Sequence, residues 1–253
     1  MAFKLDSAAV THEGCVCERN EDTFCERTSE NLWAVADGMG GHDHGDWASE
    51  VVTQTLMNVT VPEDFEEACY AIANSIHVGN QIIYAESVKR SKQMGTTVVA
   101  LYFAGPFFGV CWVGDSRVYV LRDKRLIRLT KDHTPVQDLL DRGAISEEEA
   151  ETHPMRHMLA RAVGVKDNVE VDIVADRTRV GDVFLLCSDG LHGQVNDSEI
   201  EAVIANEPLG KAVETLLELT ISRGAPDNVT MVAVSVEEET ALTLQKTDEG
   251  SAA

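Results

Sequence analysis

The chain has 253 residues, 44% of them hydrophobic, and no Pro-, Gly- or Ser-rich linker divides it, so we expect one globular domain. A formal charge of −22 argues against nucleic acid and membrane surfaces as partners, but it suits divalent cations, which favour oxygen ligands. The chain starts without a basic and apolar signal sequence, and no apolar run approaches 18 residues. Six cysteines without a CxxC pair indicate a reduced, cytoplasmic protein.

The first third of the chain predicts three strands and two helices. Apolar runs or weak alternation predict strands over residues 3–10, 23–27 and 32–36. An apolar period of 3.6 residues predicts helices over 47–59 and from Pro62 to Ile83. We interpret both helices as packing elements that cover a core.

The middle of the chain changes to short runs rich in β-branched and aromatic residues. Four such runs, separated by turn residues, predict strands over 96–103, 107–113, 117–121 and 125–129. Their short connections predict an antiparallel meander. Residues 134–162 are polar and helix-prone, which is typical of a lid or insertion rather than of a sheet core.

The last third of the chain predicts strands and helices again. Strands are expected over 169–174, 182–187 and 228–236, and helices over 200–205 and 209–221. The domain is expected to span 1–237, followed by an acidic, frayed tail over 238–253. Strands, a helix pair, more strands and a second helix pair predict an α+β fold, with antiparallel sheets and helices packed outside them.

Five aspartates lie at the ends of predicted strands, each beside Gly, Asn, Ser or another acid. They are Asp22, Asp37, Asp115, Asp189 and Asp227. Each one alone also fits an ordinary turn residue. Five carboxylates gathered at one sheet edge would repel one another unless protons or metal ions neutralised them. Ligation by oxygen alone favours Mg²⁺ or Mn²⁺ over zinc, and two such ions can activate a water for attack on phosphorus.

A competing zinc motif follows the third predicted strand. His42, His44 and Asp46 fit the pattern H-x-H-x-D, which can supply two imidazoles and a carboxylate to zinc. In zinc hydrolases of the metallo-β-lactamase kind the pattern continues with a further histidine, and Trp47 takes that place here. We therefore favour the carboxylate site. His42 stays open between a proton donor to a leaving alcohol and a hydrogen-bonded loop histidine.

The chain resembles the metal-dependent protein serine/threonine phosphatases of the PPM or type 2C family, in their compact bacterial form. The resemblance runs from about Ala8 to Val236 and keeps the order of the family's motifs. Those motifs are Asn20-Glu21-Asp22, Val35-Ala36-Asp37-Gly38-Met39-Gly40-Gly41-His42, Gly95-Thr96-Thr97, Val113-Gly114-Asp115-Ser116-Arg117, Thr130-Lys131-Asp132-His133-Thr134, Gly143-Ala144-Ile145-Ser146, His153-Pro154, Ser188-Asp189-Gly190 and Asp227-Asn228.

The resemblance implies a central antiparallel β-sandwich flanked by helix pairs, with a binuclear Mn²⁺ or Mg²⁺ centre at one end. Four aspartates would bind the metal pair: Asp22, Asp37, Asp189 and Asp227. Gly38 would contribute its carbonyl oxygen, and Asp115 would help to hold a weaker third ion. Residues 134–162 match the family's flap. The implied activity is hydrolysis of phosphoserine and phosphothreonine by a metal-activated water, in a monomer that reverses an intracellular protein kinase.

One departure from the family concerns phosphate binding. The family usually places an arginine five residues before the first metal aspartate, and this chain has Cys17 there. In a strand, Arg19 would share a face with Cys17 and could replace the missing guanidinium. Otherwise the metals alone hold the phosphate. A cysteine-based phosphatase is disfavoured because Cys17 lacks a Gly-rich phosphate cradle. The alternative function is a phosphatase-shaped module that binds phosphoproteins with weak or no turnover.

Overall fold

Two antiparallel sheets form the centre of the molecule. The computed structural model describes residues 3–39 and 44–239. The first sheet has the strand order β1-β11-β10-β7-β8, and the second has the order β2-β3-β5-β6-β9, with the short β4 paired to β3. The strands are β1 (Phe3–His12), β2 (Asp22–Arg27), β3 (Leu32–Met39), β4 (Gly95–Thr96), β5 (Val98–Ala104), β6 (Phe107–Val113), β7 (Arg117–Arg122), β8 (Arg125–Arg128), β9 (Asp172–Arg177), β10 (Val183–Cys187) and β11 (Val229–Glu238).

Helices cover the outer face of each sheet. The helices are α1 (Gly45–Asn58), α2 (Phe65–Arg90), α3 (Pro135–Asp141), α4 (Glu147–Glu151), α5 (Asp189–His192), α6 (Asp197–Asn206) and α7 (Leu209–Ser222), of which α1, α2, α6 and α7 form these covering layers. The pair α1 and α2 shares one apolar cluster with the second sheet, and α6 and α7 share another with the first sheet. The order of layers is therefore α-β-β-α, which confirms the predicted fold class. Among the described residues, no helix is long and apolar enough to cross a membrane.

A third apolar cluster lies between the two sheets and joins them. Trp33 and Phe108 from the second sheet pack with Phe184 from the first, and all three side chains are almost fully buried. The ring centroids of Phe108 and Phe184 lie 4.8 Å apart, and those of Phe103 and Phe184 lie 5.1 Å apart. Aromatic pairs of this geometry add to the free energy gained by burying their area. We call this cluster the inter-sheet layer.

The predicted four-strand meander was wrong at its centre. Strands β5 and β6 pair in one sheet and β7 and β8 pair in the other, so the chain crosses between sheets after Val113. Gly114 makes the crossing with a φ of +109°, a region that favours glycine. A Cβ on Gly114 would lie 2.6 Å from the Cβ of Thr97, so a side chain does not fit there. The crossing leaves Asp115 at the boundary of the two sheets.

The other differences from the predicted elements concern boundaries. Strand β9 spans Asp172–Arg177, three residues later than expected, and β3 continues to Met39. The short helix α5 was not predicted, because four residues after a strand carry no helical period. Within 134–162, helices α3 and α4 are short, and most of their residues are exposed or partly exposed. The role of this segment as a flap stays a prediction. Residues 240–253 of the expected tail lie outside the described residues.

Candidate metal centre

The inter-sheet layer changes from apolar to acidic at one end. Side chains two residues apart share a face of a strand. On β3, Trp33 and Val35 belong to the inter-sheet layer, and Asp37 continues the same face. On β2, Phe24 packs against the layer and Asp22 continues it. Asp22 and Asp37 are directly opposite each other in the antiparallel register. The alternation that builds the core thus also delivers two carboxylates to its end.

Hydroxyl groups complete this polar end of the layer. Ser188 follows the inter-sheet face of β10, and its Oγ donates a 2.7 Å hydrogen bond to Asp22 Oδ2. The amide of Thr230, on β11, donates to the same Ser188 Oγ over 3.0 Å. Just before β5 and β7, the hydroxyls of Thr97 and Ser116 lie 2.6 Å apart. The contact from Ser188 fixes Asp22 in a place that packing alone would leave to an apolar side chain.

Among the five aspartates, Asp22 gives the clearest indication that this site binds a ligand. The residue is 7% exposed, and its Oδ1 atom is buried with no hydrogen-bond partner. Burial raises the pKa of Asp22, and the charges of Asp189 and Asp227 raise it further against the hydrogen bond from Ser188. A buried acceptor without a partner costs about 1–3 kcal/mol, so folding places this oxygen there at a cost. A cation would supply the missing partner.

The other aspartates influence one another in the same way. Desolvation and the charges of Asp22, Asp189, Asp115 and Asp227 together raise the pKa of Asp37 well above its usual value. Desolvation and the charge of Asp189 raise the pKa of Asp115, and desolvation and the charge of Asp227 raise that of Asp189. The structure therefore brings the five sequence-predicted aspartates within electrostatic reach of one another. Asp22 and Asp115 are buried, Asp37 and Asp189 are partly buried, and Asp227 is exposed.

The carboxylates lie near one another but do not surround a common point. Within residues 3–39 and 44–239, no three His, Cys, Asp or Glu side chains are gathered as closely as the ligands of a bound ion. Mutual repulsion favours this open spacing, and a dication removes the repulsion when it binds. The unpartnered oxygen of Asp22 and the raised pKa values fit a hard divalent cation, because the available donors are oxygens.

Gly38 lies in a space that admits no side chain. Its amide donates to the carbonyl oxygen of Glu21 over 3.1 Å, and it pairs with Thr96 of β4. A Cβ on Gly38 would lie 2.1 Å from the carbonyl oxygen of Gly45, at the start of α1. The chain segments that carry Asp22 and Asp37 therefore meet the first turn of α1 at van der Waals distance. This close approach requires glycine, and the use of the Gly38 carbonyl oxygen as a metal ligand stays a prediction.

Glu21 belongs to the same acidic end and was not predicted as a site residue. Desolvation raises its pKa, and the charges of Asp46 and Asp227 raise it further. A Cβ on Gly45 would lie 2.2 Å from Glu21 Oε2, so this carboxylate lies against the start of α1. The run of two acids at Glu21 and Asp22 was the available signal. Only the fold shows that both side chains face the same region.

The segment before β2 does not form the strand that was assumed for Arg19. Residues 13–21 form turns and bends, so the argument that Cys17 and Arg19 share a strand face was wrong. The Cys17 thiol lies 3.7 Å from Asp227 Oδ1 and 3.6 Å from the carbonyl oxygen of Pro226. Desolvation and Asp227 raise the pKa of Cys17, which disfavours a thiolate nucleophile. Arg19 is exposed, and its charge acts on Glu21.

The structure tests the zinc alternative only in part. His42 lies outside the described residues, so its predicted role as a general acid stays a prediction. His44 Nε2 lies 3.2 Å from Nη1 of Arg90, a cationic neighbour that does not suit a metal ligand. The Oδ1 atom of Asp46 accepts a hydrogen bond from the amide of Trp47 at the start of α1. These contacts favour the aspartate site over the H-x-H-x-D pattern.

The chain is similar in sequence to known proteins. The family model described as protein phosphatase 2C matches residues 12–228. The serine/threonine protein phosphatase PstP of Mycobacterium tuberculosis is 38% identical over 234 residues, which cover 92% of this chain and 45% of that protein. The chain therefore spans about half the length of this relative.

Two solved structures are similar in both sequence and fold. One is the catalytic domain of a serine/threonine protein phosphatase PstP in complex with two manganese ions. It is 36% identical, has a TM-score of 0.85, and the match covers 94% of this chain and all of that one. The other is PppA, described as a key regulatory component of T6SS in Pseudomonas aeruginosa. It is also 36% identical with a TM-score of 0.85, over 92% of this chain and 97% of that one.

Proposed function

The chain belongs to the protein phosphatase 2C family, and we propose that it is a metal-dependent phosphatase that hydrolyses phosphoserine and phosphothreonine in proteins. Its substrates would be phosphorylated proteins, and it would reverse the action of a cytoplasmic protein kinase. The relatives named as serine/threonine phosphatases support the reaction class. The observation that carries the proposal is the set of mutually repelling aspartates around the unpartnered Asp22 Oδ1.

We assign the metal ligands from this set. Four aspartates would hold two Mn²⁺ or Mg²⁺ ions: Asp22, Asp37, Asp189 and Asp227. Gly38 would add its carbonyl oxygen, and Asp115 would help to hold a weaker third ion. When bound, the ions supply Lewis-acid polarisation of the phosphate ester and a water made acidic enough to attack it at neutral pH. The PstP structure that holds two manganese ions supports this cofactor.

The protein groups would bind the phosphate and protonate the leaving group. Arg19 is exposed beside the acidic end of the layer, so its guanidinium can reach a substrate phosphate from the solvent side. We assign the proton transfer to the leaving serine or threonine oxygen to His42. The hydrogen bond from Ser188 Oγ, which is itself held by the Thr230 amide, keeps the Asp22 carboxylate in place while substrates exchange.

Hydrolysis of a phosphopeptide in the presence and absence of metal tests the proposal. Protein treated with EDTA should have no activity, and excess Mn²⁺ or Mg²⁺ should restore it, on both a phosphothreonine peptide and p-nitrophenyl phosphate. A phosphotyrosine peptide of the same sequence is the matched substrate control and should be hydrolysed more slowly. Full activity in protein shown by elemental analysis to be metal-free would contradict the proposed mechanism.

A phosphoprotein-binding module is the second candidate. The observation that favours it is Cys17, whose thiol faces Asp227 where the family usually has a phosphate-binding arginine. The same assay separates the two functions when peptide binding is measured beside turnover. Binding of the phosphopeptide without metal-dependent hydrolysis would favour the module, and release of inorganic phosphate would favour the enzyme.

A further inference from the structure

The loop that carries Asp115 is held at several points of its backbone. The Gly114 amide donates to His133 Nδ1 over 3.0 Å, and the Gly114 carbonyl oxygen accepts from the His133 amide over 2.9 Å. The next residue contacts a different element. His192 Nε2 lies 3.1 Å from the carbonyl oxygen of Asp115. The loop is therefore tied on one side to the segment after β8 and on the other side to α5.

The contact with His192 joins two of the proposed metal ligands. Helix α5 begins at Asp189 and ends at His192, so the two residues are one helical turn apart. The charge of Asp189 raises the pKa of Asp115, so the two carboxylates lie within electrostatic reach of each other. A hydrogen bond from the end of α5 to the Asp115 backbone fixes where the loop lies relative to Asp189. No residue of the sequence motifs predicted this link.

The chemistry of the two atoms sets the direction of the bond. A carbonyl oxygen only accepts hydrogen bonds, so Nε2 of His192 must carry the proton. The contact therefore makes His192 the donor and the backbone of Asp115 the acceptor.

A partly buried ion pair supports this side of the site. Arg117 donates from Nε and Nη2 to the two carboxylate oxygens of Asp132, over 3.0 and 2.7 Å. Nη1 of Arg117 also donates to the hydroxyl of Tyr119, which donates to Asp197 at the start of α6. A planar guanidinium with partners on three nitrogens has little freedom to move. It lies two residues after Asp115, so it restrains the loop from the strand side.

We propose that His192 is a positioning residue for the metal centre: its Nε2–H holds the Asp115 carbonyl and so fixes the Asp115 carboxylate relative to Asp189. The inference rests on the proposed function for the identity of the metal. It predicts that the weaker third ion depends on His192 and that the two tightly bound ions do not. Partners of metal ligands typically change metal affinity by about 10- to 100-fold when they are removed.

Two substitutions at His192 and one control separate the loss of the hydrogen-bond donor from a loss of packing. His192→Leu removes the donor, whereas His192→Gln keeps an N–H near the position of Nε2. His77→Leu makes the same change at a partly buried histidine of α2, far from the acidic end in the chain. Each variant is compared by hydrogen exchange of the peptide that contains 115–117, without metal, and by calorimetric titration with Mn²⁺.

In His192→Leu we expect amide exchange over 115–117 to be roughly fivefold faster, as for the loss of one hydrogen bond. We also expect the weaker Mn²⁺ affinity to fall on the order of 10-fold, with the tight sites unchanged. His192→Gln and His77→Leu should resemble the wild type. Unchanged exchange and affinity in His192→Leu, or equal losses in His192→Gln, would overturn the inference. A wild-type protein that binds no Mn²⁺ would refute the proposed function. The exchange data would then still test whether His192 holds the Asp115 loop.

Discussion

The middle and the acidic end of the inter-sheet layer are built from the same strands but have opposite energetics. Trp33 is 1% exposed and Asp22 is 7% exposed, so both lie away from water. Burial of the aromatic middle stabilises the fold, because apolar area leaves water. Burial of the aspartates opposes folding, because charge leaves water and like charges approach. The free energy gained by burying the aromatic middle offsets the cost of burying the aspartates at the acidic end.

This contrast explains why the acidic end fits a ligand site. A protein without a use for these carboxylates would gain stability by continuing the apolar pattern of β2 and β3 through Asp22 and Asp37. Places where local rules are broken inside an otherwise consistent fold are typically functional. The predictions below change one region at a time and ask whether the other responds.

The largest expected effect is on stability and comes from the middle of the layer. Phe184→Ala removes a fully buried ring that packs on Phe103 and Phe108, and should lower the free energy of unfolding by about 3–5 kcal/mol. Urea denaturation measures this loss. Phe3→Ala, at a partly buried position beside the same layer, is the control and should cost less. The Mn²⁺ affinity of the folded fraction should not change. An equal loss of unfolding free energy in Phe184→Ala and Phe3→Ala would contradict the contrast between the middle and the acidic end.

The second effect is on turnover and comes from the acidic end. Asp37→Asn should lower kcat on the order of 10²-fold or more, because an amide lacks the charge that a dication needs. The same change should stabilise the metal-free protein, since burial and the neighbouring carboxylates disfavour the charged form of Asp37 and an amide has no charged form. Steady-state kinetics and urea denaturation in EDTA measure the two results. Asp6→Asn, at an exposed position of β1, is the control. A lower free energy of unfolding in metal-free Asp37→Asn than in the metal-free wild type would contradict the proposed repulsion.

The third effect is a pH dependence confined to the metal-free protein. Desolvation and neighbouring charges raise the pKa of Asp189 to about 6 and that of Asp115 to about 8, above their unfolded values. The folded state therefore holds more protons, so stability present at low pH is lost as pH rises through these values. Between about pH 6.5 and 8.5 the free energy of unfolding should fall on the order of 2 kcal/mol. Thermal unfolding in EDTA measures the fall.

Two controls define the cause of that pH dependence. Asp115→Asn should reduce the slope of melting temperature against pH, and saturating Mn²⁺ should remove it. Histidine titration acts mostly below this pH range, because the unperturbed imidazole pKa is about 6.5. A metal-free protein that becomes more stable between these pH values would contradict the raised carboxyl pKa values.

The smallest effect is on phosphate binding. Cys17→Arg should lower KM for a phosphopeptide by roughly 10-fold, with a smaller change in kcat, if the thiol beside Asp227 occupies the phosphate-binding position. Arg19→Ala should raise KM if Arg19 already serves that purpose. Cys15→Arg adds the same charge at an exposed neighbour and is the control. If KM stayed the same in both Cys17→Arg and Arg19→Ala, the account of this segment would be wrong.

The ligand candidates were predictable because each one follows a local rule. An apolar run that ends at an acid beside glycine, as at Asp37, can be read directly, and Asp115 and Asp189 repeat it. Asp22 and Asp227 lie instead just before a predicted strand. The layered fold was also predictable, since the period changes from strand to helix along the chain. The resemblance to a known family then related the separate motifs to one another.

The sequence predictions that were wrong concern features that depend on contacts between residues far apart in the chain. Asn228 holds the segment before β2 in its bent form, since its amide donates to the carbonyl oxygens of Glu13 and Arg19. That contact spans about 200 residues, so no local pattern around Arg19 shows it. A Gly-Asp turn such as Gly114-Asp115 fits a hairpin as well as a crossing between sheets. Only the packing of the two sheets selects the crossing.

Calorimetric titration with Mn²⁺ tests most directly whether the acidic end of the layer is a metal centre. Wild-type protein stripped with EDTA is compared with Asp37→Asn and Asp6→Asn at the same pH and ionic strength. We predict two tightly bound ions in the wild type and in Asp6→Asn, and loss of tight binding in Asp37→Asn. Weak binding that is equal in all three proteins would show that Mn²⁺ only associates with the acidic surface, and it would contradict the account.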